Sequence, residues 1–263
     1  MNFEHIIFSI DNGIARLTLN RPEKLNSFNV AMHLEVRAAL EQVKAAPSAR
    51  VLVLSGAGRG FCAGQDLSDR AVAPGGKPVD LGESVERFYA PLVTALRALP
   101  LPVICAVNGV AAGAGANIAL ACDIVIAAES ASFVQAFCRL GLIPDTGGTY
   151  FLPRLVGPAR ALGLAMLGDK LPAAQAAQWG LIWKCVPDDT LASETDTLAR
   201  HFAEAPTRGL AATKQAIYAS AANTLDQQLM LERDLMRAMG QTADYREGVN
   251  AFIEKRTPRF KGA

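Results

Sequence analysis

The sequence has little of what a metal centre, a disulfide framework or a nucleic-acid footprint would need. Its three histidines, at 5, 33 and 201, are dispersed and form no His-Glu-x-x-His or His-x-x-His set, so no metal site is expected. Five cysteines stand at 62, 105, 122, 138 and 185, an odd number with no Cys-x-x-Cys pair. That usage fits reduced thiols in a cytoplasmic protein better than bridges or zinc. Charge is also scarce: 26 basic against 25 acidic residues leave a net +1. Such a balance argues against nucleic-acid partners and a polybasic membrane surface, though it leaves room for one local basic site. No apolar run reaches the roughly 18 residues a membrane-spanning helix requires. Met1 to Asp11 lacks the basic start and apolar core of a secretory signal, which again points to the cytoplasm.

What remains is an apolar chain of 263 residues, 51% hydrophobic, too rich in core formers for a disordered protein. A chain of this length buries enough surface to fold without disulfide or metal, as one large domain or one domain with a small appendage. Phe3 to Ile10 and Ile14 to Asn20 read as strands around Asp11-Asn12-Gly13, a hairpin signal. Asn29 can cap a helix from Val30 to Ala45. Strands are expected at Val51 to Leu54, Val103 to Val107 and Ile124 to Ala127. Each is followed by a glycine-bearing loop (Ser55 to Asp66, Asn108 to Gly115, Phe133 to Gly148) and then a helix. Residues 70–82 read as a mobile surface loop. The recurrence suggests stacked β-β-α units whose loops converge on one side. From Pro172 onward the pattern is helical, with no strand signal, and an apolar stripe runs along Leu225, Leu229, Leu235, Met236 and Met239.

The glycine loops admit several readings. Gly56-Ala57-Gly58-Arg59-Gly60 lacks the Lys-Ser/Thr end of a phosphate-binding P-loop. Gly113 and Gly115 begin a Gly-x-Gly-x-x-Gly, but Ile118 occupies the third position and no ribose-binding acid follows. Ala63-Gly64 and Gly113-Ala114-Gly115 could bring two backbone N–H groups onto one oxygen, an oxyanion hole. The same small residues would also suit tight turns packed against helices.

Three segments carry a resemblance. Phe61-Cys62-Ala63-Gly64-Gln65-Asp66-Leu67, Ala106-Val107-Asn108-Gly109-Val110-Ala111-Ala112-Gly113-Ala114-Gly115 and Gly141-Leu142-Ile143-Pro144-Asp145-Thr146-Gly147-Gly148-Thr149 are similar to the signatures of the crotonase (enoyl-CoA hydratase/isomerase) superfamily. Leu19-Asn20-Arg21-Pro22 and the tail Ala251 to Arg256 match as well, so the resemblance spans nearly the whole chain. Within the superfamily, Arg59 to Asp66, Ser84 to Tyr89 and Ala243 to Val249 resemble the branch that isomerises ring-1,2-epoxyphenylacetyl-CoA in phenylacetate degradation.

The resemblance implies an α/β fold: a crotonase-like spiral of β-β-α units over residues 1–190, then a C-terminal helical trimerisation region over 191–263. A homotrimer or hexamer is implied, acting on an acyl-CoA thioester with no cofactor beyond the CoA of the substrate. The backbone N–H groups of Gln65 and Ala114 would form the oxyanion hole, and Asp145 would be the catalytic acid–base. Ala63, Asp66 and Leu67 would contact CoA, with Arg21, Lys24 and Lys261 as candidates for its phosphates. Phe61, Asn117, Phe137 and Leu142 would line the acyl slot. Asn117 and Phe137 occupy the slots of the two hydratase glutamates, so hydration of an enoyl-CoA is not expected. Asp145 also suits a helix N-cap, a purely structural role. Three other functions stay open: a Δ3,Δ2-enoyl-CoA isomerase, a non-catalytic CoA-binding relative, and a dehalogenase, which would want a histidine in the central loops.

Overall fold

The computed structural model describes residues 3–70 and 80–263. The loop expected over residues 70–82 therefore lies mostly outside the described residues. Strands β1 (Ile6–Asp11) and β2 (Ile14–Leu19) pair antiparallel across Asn12 and Gly13. Both turn residues have positive φ, at 49° and 81°, which matches the twist of a two-residue hairpin. Helix α1 (Val30–Ala45) opens where the Met32 N–H donates to Asn29 Oδ1 at 2.8 Å, and it buries Met32, Val36, Leu40 and Val43.

The repeated unit is then visible three times. β3 (Val51–Gly56) and β4 (Gly60–Cys62) lead to α2 (Leu81–Ser84), a π-helical turn at Val85–Tyr89, and α3 (Ala90–Ala98). β5 (Val103–Val107) and β6 (Val110–Ala112) lead to α4 (Ala114–Ala121). β7 (Ile124–Ala128) and β8 (Ser132–Val134) lead to α5 (Gly148–Leu167). The first strand of each unit joins a six-stranded sheet ordered β1-β2-β3-β5-β7-β10, and the second joins a four-stranded sheet ordered β4-β6-β8-β9. The three units run parallel in both sheets, so their loops emerge at one edge.

The small sheet departs from the expected pattern, because β4 and β6 lie inside stretches that read as loops and β8 runs into a third. Each has three residues, too few to show an alternation. The tail departs too. After β9 (Lys170–Pro172) and α6 (Ala173–Gln178), β10 (Lys184–Val186) pairs parallel with β7, in a stretch expected to hold no strand.

The large sheet is covered on both faces, which explains its continuous apolar strands. Leu17, Leu52, Leu54 and Cys105 share one core with α1. On the other face Ile14, Val51, Val53 and Ile104 meet Ala199 and Phe202 of α7 (Leu191–Glu204). Helices α8 (Thr207–Ser220), α9 (Leu225–Met239) and α10 (Ala243–Glu254) leave Ile217, Leu225, Met236, Phe252 and Ile253 exposed. Among the described residues no helix is long and apolar enough to cross a membrane.

Candidate active site

The loop after β4 is built on backbone contacts. Phe28 N–H donates to the Gly64 carbonyl (2.7 Å), and Asp66 N–H donates to the Phe28 carbonyl (2.9 Å). In this parallel bridge the flanking groups do the pairing, so the N–H of Gln65 itself points away from Phe28. Gly64 has φ +90°, and a Cβ there would come within 2.9 Å of the Ala112 carbonyl oxygen and 3.2 Å of the Ala114 nitrogen. Only glycine permits this approach. The first loop thus lies against the N-terminus of α4. Ala114 opens that helix, so no carbonyl of its own helix can accept its N–H.

Side chains missed from the sequence hold the loop. The Tyr89 hydroxyl donates to Gln65 Oε1 at 2.9 Å, and the π-helical turn carries its ring fully inside, edge-on to His33. A simple helical period over 84–99 does not reveal that turn. Asn26 is wholly buried; its Oδ1 accepts from Arg21 N–H and its Nδ2 donates to the carbonyls of Ala57 and Gly60. It and Leu25 both have positive φ, and asparagine tolerates that conformation, which is the one sequence signal for this hub. Cys62 donates its thiol to the Asn26 carbonyl at 3.2 Å, and burial pushes that thiol up to about 12.

Asp145 sits on the turn that enters α5. Thr146 Oγ1 donates to Asp145 Oδ1 at 2.7 Å. Thr146 is buried with φ +54°, a conformation rare for a β-branched residue, and Gly147 follows at φ +80°. The N-cap of α5 is Gly147, with no side-chain cap hydrogen bond. Asp145 lies two residues earlier, so its carboxylate is not the cap of this helix.

The structure redistributes several expected site residues. Asn117 is wholly buried: Nδ2 donates to the Asp145 carbonyl (2.8 Å), and Oδ1 accepts from Gln135 Nε2 (2.9 Å). It braces the Asp145 turn from a wholly buried position. Phe61, like Asn117 expected in the acyl slot, is fully buried in β4, within the core. Phe137 does stand near the head of α4, since a Cβ on Gly113 would lie 3.7 Å from its ring. Leu142 is half-buried, with its N–H on the Phe137 carbonyl.

Arg21 is not a free cation for phosphate. Its side chain is 13% exposed, donates to Asp66 Oδ2 at 2.9 Å and to the Ser27 carbonyl at 2.6 Å. The Ser68 hydroxyl, and then Arg21, hold the Asp66 carboxyl below the usual carboxylate range against its burial. Lys24 and Leu67 are exposed beside this pair, and Ala63 is half-buried with its N–H on the Leu25 carbonyl. Lys261 lies elsewhere. The tail runs past Arg50, at the opposite end of β3, where Arg50 donates to the Phe260 carbonyl. Within one chain, Lys261 and Lys24 do not share a site.

A groove of about 790 Å³ begins at Gly147 and runs between α3, α5, α8 and α9, past Tyr150, Phe151, Arg97, Tyr218 and Leu235. It adjoins the Asp145 turn, but Gln65, Ala114 and Asp145 are not among its lining residues.

These loops can be set beside known proteins. The family model described as enoyl-CoA hydratase/isomerase matches residues 9–263. The chain is 61% identical over 259 residues to the 1,2-epoxyphenylacetyl-CoA isomerase of Escherichia coli (strain K12), covering 98% of this chain and 99% of that one. It is 35% identical to the trans-2-decenoyl-[acyl-carrier-protein] isomerase of Streptococcus mutans, over all of both chains. Among solved structures, the enoyl-CoA hydratase from Bacillus anthracis superposes with a TM-score of 0.90 at 35% identity, covering 99% of this chain and all of that one. The paired sheets, the glycine contact at the head of α4 and these full-length matches agree: the chain belongs to the enoyl-CoA hydratase/isomerase family.

Proposed function

We propose that the protein is an isomerase of a CoA thioester, converting 2-(1,2-epoxy-1,2-dihydrophenyl)acetyl-CoA to its oxepin-CoA. The observation that carries this reading is the carboxylate of Asp145 on a braced turn beside the head of α4, with an amide and a phenyl ring at positions 117 and 137. The 61% identity to the E. coli isomerase supports the same substrate. The thioester carbonyl would accept from the N–H groups of Gln65 and Ala114, an oxyanion hole that acidifies the α-carbon. Asp145 takes the α-proton and leaves an enolate. The bond shared by the epoxide and the six-membered ring breaks by valence reorganisation, giving the seven-membered oxepin, and Asp145 returns the proton to a ring carbon. The net change is an isomerisation, so this reading needs no metal or redox cofactor. Phe137 and Leu142 would flank the ring.

A linear Δ3,Δ2-enoyl thioester is the second reading. It needs the same base and hole, and the S. mutans relative, named for isomerising a decenoyl chain, favours it. Incubating the pure protein with epoxyphenylacetyl-CoA and with a 3-enoyl-CoA, with products identified by mass and ultraviolet spectrum, separates the two. Oxepin formation at the higher kcat/KM supports the first reading. The exposed apolar residues of α8 to α10 support assembly into a trimer or a dimer of trimers, and the unpaired thiols suit the cytoplasm.

A further inference from the structure

We infer that Asn117 and Gln135 are positioning residues, an amide pair that locks the Asp145 turn to α4 and so fixes the distance between base and oxyanion hole. The inference rests on Asp145 being the base. Helix α4 carries both fixed points. Ala114, its first residue, presents the N–H, and Asn117, three residues and about 4.5 Å further along the axis, holds the Asp145 carbonyl. All eight residues of this helix are buried, so neither point shifts alone.

The hydrogen-bond chemistry allows one arrangement. The Asp145 carbonyl only accepts, so Asn117 turns Nδ2 towards it. That leaves Asn117 Oδ1 facing Gln135, which must turn Nε2 inward. The remaining atom, Gln135 Oε1, is buried and has no partner among the described residues. A glutamine kept with one end unsatisfied is held for what its other end does. A carboxylate at 117 would set acceptor against acceptor at the Asp145 carbonyl. The pair also lies in a closed circuit, since Gly113 N–H, at the head of α4, donates to the carbonyl of Val134, the neighbour of Gln135. Gly148 completes the fit: a Cβ there would overlap the Asn117 amide. The turn so held carries Thr146 at φ +54°, a conformation unfavourable for a β-branched residue that its surroundings must hold in place.

The test measures solvent-deuterium exchange at the α-carbon of phenylacetyl-CoA, which reads proton removal without ring expansion. Wild type is compared with Gln135→Met, Asn117→Ala and Asp145→Asn, together with thioester affinity by calorimetry and a thermal melt. Gln135→Met keeps the volume and exchanges one unsatisfied buried oxygen, its own, for another, Asn117 Oδ1, so the fold should hold and the melting temperature should change little. Its exchange rate should still fall at least about 10-fold, with affinity unchanged within about 3-fold, because a small misplacement of a catalytic group is costly in rate. Asn117→Ala should lose more. A purely structural role would lower the melting temperature and leave the exchange rate alone. Exchange at the wild-type rate in Gln135→Met, with Asp145→Asn inactive, overturns the clamp. Exchange at the wild-type rate in Asp145→Asn instead overturns the assignment of the base.

Discussion

Gly115 lies against Cys62 with no room for a side chain between them: a Cβ on Gly115 would overlap the Cys62 carbonyl oxygen and stand 2.8 Å from its Cβ. Because Cys62 is buried in β4 and Gly115 in α4, this contact sets how closely the two glycine loops approach. Gly115→Ala should therefore push them apart. Overpacking of this kind typically costs about 1–3 kcal/mol, and loss of one oxyanion donor about 3 kcal/mol of transition-state stabilisation. The expected result is a lower melting temperature together with a fall in turnover of about 10² or more. A variant with wild-type melting and turnover would show that the loops need no such contact.

Asp66 gives a pH dependence of known sign. Its carboxyl is held below the ordinary range by the Ser68 hydroxyl and then by Arg21. A group whose pKa is lower in the folded state contributes stability that is present above its unfolded pKa of about 4 and is lost as pH falls through the folded value. The urea midpoint of the wild type should accordingly exceed that of Asp66→Asn at pH 7, and the gap should close as the pH is taken below about 4. A gap independent of pH would mean that the pair with Arg21 contributes through packing alone.

The legible part of the fold was the part with long elements. The Asn12-Gly13 hairpin, the Asn29 cap and the apolar runs of β3, β5 and β7 each carry a local signal that packing confirms. The four-stranded sheet was not legible, because three-residue strands pair only when the large sheet has already stacked their units. The site divides the same way. Gly64, Ala114 and Asp145 stand in motifs, so the sequence alone marks them as candidates. Asn26, Tyr89, Gln135 and Thr146 act through hydrogen bonds to residues 5 to 34 positions away, or to a neighbour across a strained turn, and no spacing rule exposes them. The pairing of Arg21 was hidden for a related reason: a lone basic residue looks solvated until its partner, 45 positions on, is seen.

Helices α8, α9 and α10 expose Ile217, Leu225, Leu229, Met236, Phe252 and Ile253. So much apolar surface on one region is unfavourable for a monomer in water. Light scattering at micromolar concentration should give three or six times the chain mass of 27.8 kDa. A stable monomer under those conditions would contradict the proposal, and Phe252→Asp should shift the population towards smaller species.

Hydration of crotonyl-CoA should be negligible. Adding water across a double bond needs a group to activate the water and a group to protonate the enolate carbon. Asn117 is occupied at both ends of its amide, and Phe137 offers only a ring. The disappearance of the enoyl absorbance with pure protein measures this directly. Rapid loss of absorbance with formation of the 3-hydroxyacyl product would require proton-transferring groups elsewhere, since neither Asn117 nor Phe137 is one.

Asp145→Asn separates chemistry from architecture. The carboxylate is two residues short of the α5 cap, and the structural duties of the residue run through its backbone carbonyl, which accepts from Asn117 Nδ2 and Gly148 N–H. An asparagine keeps that carbonyl, and its Oδ1 still accepts from the Thr146 hydroxyl. The melt should therefore stay close to wild type, and the affinity for a CoA thioester should be retained, since the proposed hole is formed by backbone. The base is gone, so turnover should drop at least about 10², and solvent deuterium should no longer enter the α-carbon of a substrate analogue. Near-normal turnover would place the base elsewhere. An unfolded variant would instead show that the carboxylate is structural, and Asp145→Glu then decides the matter, because it restores an acid at a displaced position and should recover part of the exchange only if proton transfer is its role.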